Sequence, residues 1–134
     1  MQLKRIMSSN VKSVAVETPI GRVAEVMRDH NVGCLPVIDR GRLAGLITDR
    51  DIVVRGLAEK KHVDTTAVGE IMTSSPDYLN QDAEVCDAVA LMRAKRIRRV
   101  PVVDDQDRLV GMVTLTDVAL RAHEPIQSGV ALLS

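Results

Sequence analysis

Thr48 and Thr114 each close an apolar run, and each is followed three residues later by an aspartate, Asp51 and Asp117. A Thr-x-x-Asp pair where a strand runs into a helix admits two kinds of chemistry. As a capping box, the threonine hydroxyl and the carboxylate satisfy backbone N–H groups at the helix start and complement its dipole. As a ligand site, the free N–H groups of the helix start attract an anion, the carboxylate accepts two hydrogen bonds from a vicinal diol, and the hydroxyl lies close enough to meet a phosphate. Together these groups would hold a ribose phosphate, and both readings stand on the residues alone. A second charged feature, Arg93-Ala94-Lys95-Arg96-Ile97-Arg98-Arg99, places five bases in seven residues. It reads either as a solvated basic face or as an anion contact.

Other reactive side chains suggest less. His30, His62 and His123 are scattered without ligand spacing and read as surface residues. Cys34 and Cys86 have no Cys or His nearby at metal-ligand spacing, so they read as buried thiols, neither a zinc site nor a disulfide framework. No Ser, Cys or Lys sits in a nucleophile motif and no Gly-rich phosphate loop with its Lys is present. The adjacent Asp104 and Asp105 fall in a turn, where aspartate favours local backbone hydrogen bonds. Met7, Met27, Met72 and Met92 read as packing residues. The expectation is a protein with no catalytic residues and no metal.

These groups must be positioned by something repeated. A shift of 65 aligns Ile6-Met7 with Ile71-Met72, Met27-Arg28 with Met92-Arg93 and Pro36-Val37 with Pro101-Val102; after one extra residue, a shift of 66 aligns Gly45 with Gly111, Thr48 with Thr114, Asp51 with Asp117 and Arg55 with Arg121. An insertion at that place suits a hairpin turn. The repeats run over residues 6–56 and 71–122, with a connector at 57–70 and a tail at 123–134. Two copies are too few for a solenoid, so a pseudo-twofold pair of small modules is expected.

Each copy predicts β-α-β-β-α. The first strand lies at Val14–Val16, and at Tyr78–Asn80 in the second copy. Ile20, Val23, Ala24 and Met27, then Val85, Ala88, Val89 and Met92, make the apolar stripe of a helix. Thr18 and Pro19 predict an N-cap and first helical residue, and Asp82 a cap for the other helix. Hairpins follow at Leu35–Ile38 with Leu43–Ile47 and at Val100–Val103 with Leu109–Val113. The Thr-x-x-Asp pairs then open the last helix of each copy.

Composition narrows the partners. Among 134 residues, 18 basic side chains balance 18 acidic ones, so there is no general electrostatic footprint for nucleic acid or membrane surfaces. With no Trp, no Phe and one Tyr, aromatic stacking of single-stranded nucleic acid is nearly excluded. Valine, leucine, isoleucine, alanine and methionine must fill the core, and valine at this density favours buried strands. No stretch reaches the length of a membrane span and the N-terminus has no apolar signal core, so a soluble cytoplasmic protein is expected.

The strings Gly45-Leu46-Ile47-Thr48-Asp49-Arg50-Asp51-Ile52 and Gly111-Met112-Val113-Thr114-Leu115-Thr116-Asp117-Val118, each preceded by a Leu-Pro-Val-Ile-Asp-like strand, resemble tandem cystathionine β-synthase (CBS) domains. The resemblance covers nearly the whole chain. It implies an α/β fold of two β-α-β-β-α repeats packed with pseudo-twofold symmetry, a Bateman module with two related clefts between the repeats. By that resemblance Thr48 with Asp51, and Thr114 with Asp117, bind ribose and phosphate. Adenine walls would come from Ser13 and Val14, Leu35 and Pro36 in one cleft, and from Asp77, Tyr78, Leu79, Val100 and Pro101 in the other. Nucleotide-sensing members of the family carry a His-Arg pair at the places of Arg98 and Arg99, which implies phosphate ligands there. Gly33 and Cys34 depart from that pattern, and Arg50 is the cation that could compensate. The implied function is a regulatory module, not an enzyme, whose ligand is AMP, ADP, ATP or S-adenosylmethionine and which signals through homodimer shape or an unidentified protein partner. A ligand-free, stress-type interaction scaffold is the alternative, and a nucleic-acid contact through Arg93–Arg99 a poorer third.

Overall fold

The computed structural model describes residues 1–121. His123 and the predicted tail lie outside the described residues. The fold is mixed α/β, with one four-stranded and one three-stranded sheet. The order of elements is β1 (Val14–Ala15), α1 (Ile20–His30), β2 (Cys34–Asp39), β3 (Arg42–Thr48), α2 (Asp49–Asp51), β4 (Thr73–Ser74), β5 (Leu79–Asn80), α3 (Val85–Lys95), β6 (Arg99–Val103), β7 (Leu109–Thr114) and α4 (Leu115–Arg121). Helix α2 runs on through Ile52–Leu57 in a wider coil, in which Ala58 N–H donates to Val53 and Lys61 N–H to Gly56. Both copies therefore show the expected β-α-β-β-α order.

The compact units are cut differently from the sequence repeats. One comprises Lys12–Pro76; the other joins Met1–Val11 to the chain from Asp77 onward. The segment that opens each repeat thus packs on the sheet of the other. In the Lys12–Pro76 unit, Val68 and Ile71 are 0% and 4% exposed in a core with Ile20, Val23, Leu35, Val37 and Ile47. In the other unit Leu3 and Ile6, at 0% and 1%, occupy the same places beside Ala88, Met92, Val100, Val102 and Val113. Each such side chain contributes about 1.5–3 kcal/mol by burial.

Glycine permits the close approach that this exchange needs. A Cβ on Gly45 would lie 2.5 Å from Met72 Sδ and 2.6 Å from the Thr73 carbonyl; one on Gly111 would lie 2.5 Å from Met7 Sδ and 3.0 Å from the Ser8 carbonyl. β4 accordingly pairs with β3 at Gly45 and Leu46, and Ser8 exchanges two 2.9 Å backbone bonds with Met112. Two arginines complete the arrangement: Arg55 donates to the Ile71 carbonyl at 3.0 Å, and Arg121 to the Ile6 carbonyl at 3.2 Å.

Strands β2 and β3 are antiparallel, β1 lies parallel to β2, and β5, β6 and β7 repeat the pattern with the same register irregularity, Val37/Ile38 against Val102/Val103. The extra residue of the second copy lies in the β6–β7 turn. The shorter turn needs Arg40 and Gly41 both at positive φ, as two-residue hairpins do. In the longer one Asp104 Oδ1 accepts from Gln106 and Arg108 N–H at 2.8 and 3.0 Å, and these backbone bonds hold its carboxyl below the usual range.

Several local expectations are corrected. Thr18 does not cap α1; its N-cap position is Pro19, and the orphan N–H groups of Ile20 and Gly21 donate to the Thr66 and Val63 carbonyls of the connector. Asp82 pairs with Lys4 at 2.8 Å while Asp87 serves the start of α3, accepting from Glu84 N–H at 3.0 Å. Ala24 is exposed, so the stripe of α1 rests on Ile20, Val23 and Met27. Cys86 is exposed and Cys34 half-buried, so neither is the buried thiol expected, and neither is in a disulfide.

Candidate functional site

In each unit the Thr-x-x-Asp pair stands where the third strand gives way to the last helix. Thr48 has extended backbone, φ −114° and ψ 162°, and its Oγ1 accepts from Asp51 N–H at 3.1 Å while Thr48 N–H donates to Asp51 Oδ2 at 3.0 Å. Thr114 and Asp117 make the same two bonds at 3.0 and 2.9 Å. Both are therefore complete capping boxes. The cap uses only one carboxylate oxygen of each aspartate and one lone pair of each threonine hydroxyl. Asp51 Oδ1 faces Arg55 Nε at 3.7 Å, with the side chain 14% exposed. A hydroxyl proton remains at each junction for a phosphate, and a second carboxylate oxygen, shared at Asp51 with Arg55, for a diol.

The sheet register brings the second strand of each copy alongside. Cys34 pairs with Thr48, and Arg99 pairs with Thr114. Asp49 N–H donates to the Gly33 carbonyl at 3.0 Å, and Leu115 N–H to that of Arg98 at 2.8 Å. The backbone at the two junctions is thus the same and the side chains are not. Arg98 and Arg99 are exposed, and among the described residues no carboxylate pairs with either. At the first junction Asp49 fills the corresponding space: its Oδ2 lies 3.0 Å from where a Cβ on Gly33 would stand. Asp49 was not among the sequence-predicted site residues; the signal was its replacement by Leu115 in the second copy. Arg50 is exposed beside it, its own N–H donating to Asp49 Oδ1 at 2.8 Å.

The predicted adenine walls divide. Ser13 is exposed at the entry to β1, and Val14 pairs with Val37 from within the core, 8% exposed. Leu35 and Val100, at 1% and 0%, are core members, so their side chains are closed to a ligand and only their backbone could border one. Pro36 and Pro101 are also buried, on the alternate positions of their strands. Asp77 is exposed and lies 4.0 Å from Lys95; Tyr78 is 48% exposed, and Leu79 half-buried opposite Val102. Within each unit the entry of the first strand, the second strand and the helix start lie on neighbouring strands. Among the described residues no group of three or more His, Cys, Asp or Glu could hold a metal ion, and no helix is long and apolar enough to cross a membrane.

Two β-α-β-β-α units, each carrying a capped strand-to-helix junction, define a paired α/β module. A family model described as the CBS domain matches residues 3–57 and again residues 68–124, and the chain belongs to the CBS domain family. It is 37% identical over 132 residues to Hypoxic response protein 1 of Mycobacterium tuberculosis, covering 96% of this chain and 92% of that protein. The structure of Hypoxic Response Protein I with two coordinated zinc ions superposes with a TM-score of 0.82 at 35% identity, over 90% of this chain and 98% of that one. CBSX2 in complex with AMP gives 0.79 at 29% identity over 94% and 98%. The CBS domain pair of MJ0100 in complex with 5′-methylthioadenosine and S-adenosyl-L-methionine gives 0.76 at 33% identity over 89% and 93%.

Proposed function

We propose that this chain is a regulatory, ligand-sensing module and not an enzyme, a soluble cytoplasmic protein that binds adenosine-type molecules at its two Thr-x-x-Asp junctions and signals through the shape of a homodimer or through a protein partner. The observation that carries the reading is the doubled junction itself, in which Thr48 with Asp51 and Thr114 with Asp117 cap a helix and still keep an oxygen and a hydroxyl for a ribose phosphate. The AMP bound to CBSX2 and the adenosyl ligands bound to the MJ0100 pair support it. At the second junction Arg98 and Arg99 meet phosphate, as charge-assisted donors suited to that geometry. Ser13 at one site, and Asp77, Tyr78 and Leu79 at the other, border the base with the backbone of Leu35–Pro36 and Val100–Pro101; with so few aromatic side chains, the ring is held between aliphatic groups and peptide planes.

A thermal-shift panel of AMP, ADP, ATP, adenosine and S-adenosylmethionine tests the reading. A ligand at about one hundred times its dissociation constant adds roughly 2.7 kcal/mol of stability, which at this length raises the melting temperature by several degrees. A flat response to every member at millimolar concentration, from a protein that is folded and dimeric, would leave the capping boxes as caps and favour the ligand-free scaffold.

A further inference from the structure

We infer that the two junctions are built for ligands of opposite charge: the one at Thr114 takes a phosphorylated adenosine, and the one at Thr48 takes a phosphate-free adenosine, best of all one bearing a cationic sulfonium. The inference rests on the adenosine-binding reading above and assigns a ligand class to each site. It starts from matched positions. Register places Arg99 beside Thr114 and Cys34 beside Thr48, and the same backbone bond ties the next helical N–H to Arg98 in one unit and to Gly33 in the other.

Where the second unit carries two guanidiniums that pair with no carboxylate among the described residues, the first has no side chain at Gly33, and the carboxylate of Asp49 stands 3.0 Å from the place a Cβ would occupy. A cationic wall is thus replaced by an anionic one. At the start of α4 the residue matching Asp49 is uncharged Leu115, so the difference arises on both sides of the site. The remaining cations near Thr48 do not reverse it. Arg55 is engaged with the Ile71 carbonyl, the Thr73 hydroxyl and Asp51, and its counterpart Arg121 is likewise engaged with the Ile6 carbonyl. Arg50 is one exposed cation beside two carboxylates, Asp49 and Asp51. A phosphate at Thr48 would lie against Asp49, whereas a sulfonium there would be attracted. One unit charge on another at about 4 Å changes affinity roughly fivefold even in water-like surroundings.

Backbone-amide NMR on the unaltered chain separates the sites without any substitution. AMP should shift the amides of Arg99 and Thr114–Asp117 at lower concentration than those of Thr48–Asp51, and S-adenosylmethionine should do the reverse, with uncharged adenosine showing no preference beyond a few-fold. Calorimetry on three variants adds an independent arm. Asp117→Asn should lose AMP at least tenfold and keep S-adenosylmethionine within about twofold, and Asp51→Asn should do the opposite. Asp49→Arg should gain AMP at the first junction by about fivefold or more and lose S-adenosylmethionine by a similar factor. If both ligands favour the same junction, or if Asp49→Arg leaves their ratio unchanged, the charge assignment is wrong while adenosine binding stands. If none of the three ligands moves an amide at either junction, the functional reading falls with it.

Discussion

The junctions at Thr48 and Thr114 share a backbone and differ in what surrounds it. Both strands end in a threonine with its aspartate closing a capping box, and both helix starts donate a hydrogen bond to the carbonyl three residues before the strand proline. Beside one stand Gly33, Cys34 and the Asp49 carboxylate; beside the other stand Arg98, Arg99 and Leu115. A duplicated fold therefore keeps the Thr-x-x-Asp groups proposed for a ribose, because they also terminate a strand and start a helix. The side chains at the flanks make neither of these two capping bonds, and there the two copies diverge in charge.

The largest test of this comparison is the removal of both guanidiniums. Arg98→Ala with Arg99→Ala should weaken AMP by more than tenfold, since hydrogen bonds to charged groups contribute about 1.5–3 kcal/mol each, while adenosine binding stays within about twofold by calorimetry. Equal losses for nucleotide and nucleoside would mean that the arginines are structural or that the site lies elsewhere.

Next comes the close packing that both units share. Gly45→Ala and Gly111→Ala should each destabilise by about 1–3 kcal/mol, as overpacking does. Gly45 should be the costlier, because its new methyl meets a carbonyl oxygen at 2.6 Å against 3.0 Å for Gly111. Chemical denaturation gives the order, and a larger loss at Gly111 would show that the segment from Ser8 yields less readily than β4.

Asp117→Asn separates cap from ligand contact. Loss of a carboxylate at a helix start costs no more than about 1 kcal/mol of stability, whereas the variant should lose most of the preference for ribonucleotide over 2′-deoxyribonucleotide. A double-mutant cycle between the side chain and the 2′-hydroxyl measures this coupling. A value near zero, with a large fall in melting temperature, would leave Asp117 a cap and nothing more.

The smallest effect concerns the two arginine anchors. Arg55→Ala and Arg121→Ala should cost on the order of 1 kcal/mol each. Arg55 should cost slightly more, since it also reaches the Thr73 hydroxyl at 3.2 Å and Asp51 at 3.7 Å. Identical midpoints in urea would mean that only the carbonyl contact matters.

Much of this is legible in the sequence. The repeat located both junctions, the insertion and the order of elements, because apolar periodicity and turn residues are local signals. The caps of α1 and α3 were misread for the opposite reason: the α1 donors are satisfied by Thr66 and Val63, more than forty residues away in the chain, and Asp82 is drawn off by Lys4. Leu35 and Val100 were assigned to a pocket wall, yet their strand positions turn their side chains into the core. Asp49 was missed because its significance lies in the space above Gly33, which no spacing rule reports. The exchange of leading segments was invisible for a related reason, since Ile6 and Ile71 align with each other without revealing which sheet each covers.

That exchange governs how the chain can be divided. A cut between the sequence repeats leaves each half without its own Leu3–Ile6 or Val68–Ile71 wall and burdened with the other's, so both halves would expose a raw apolar face. The Lys12–Pro76 stretch, by contrast, holds its wall in one continuous piece. The remainder lies in two pieces on either side of it, Met1–Val11 and the chain from Asp77 onward. The molecule is thus a split protein by construction: a peptide of the first eleven residues should reconstitute the Asp77 half in trans, and a reporter divided at that seam would come together only when Leu3 and Ile6 find their places.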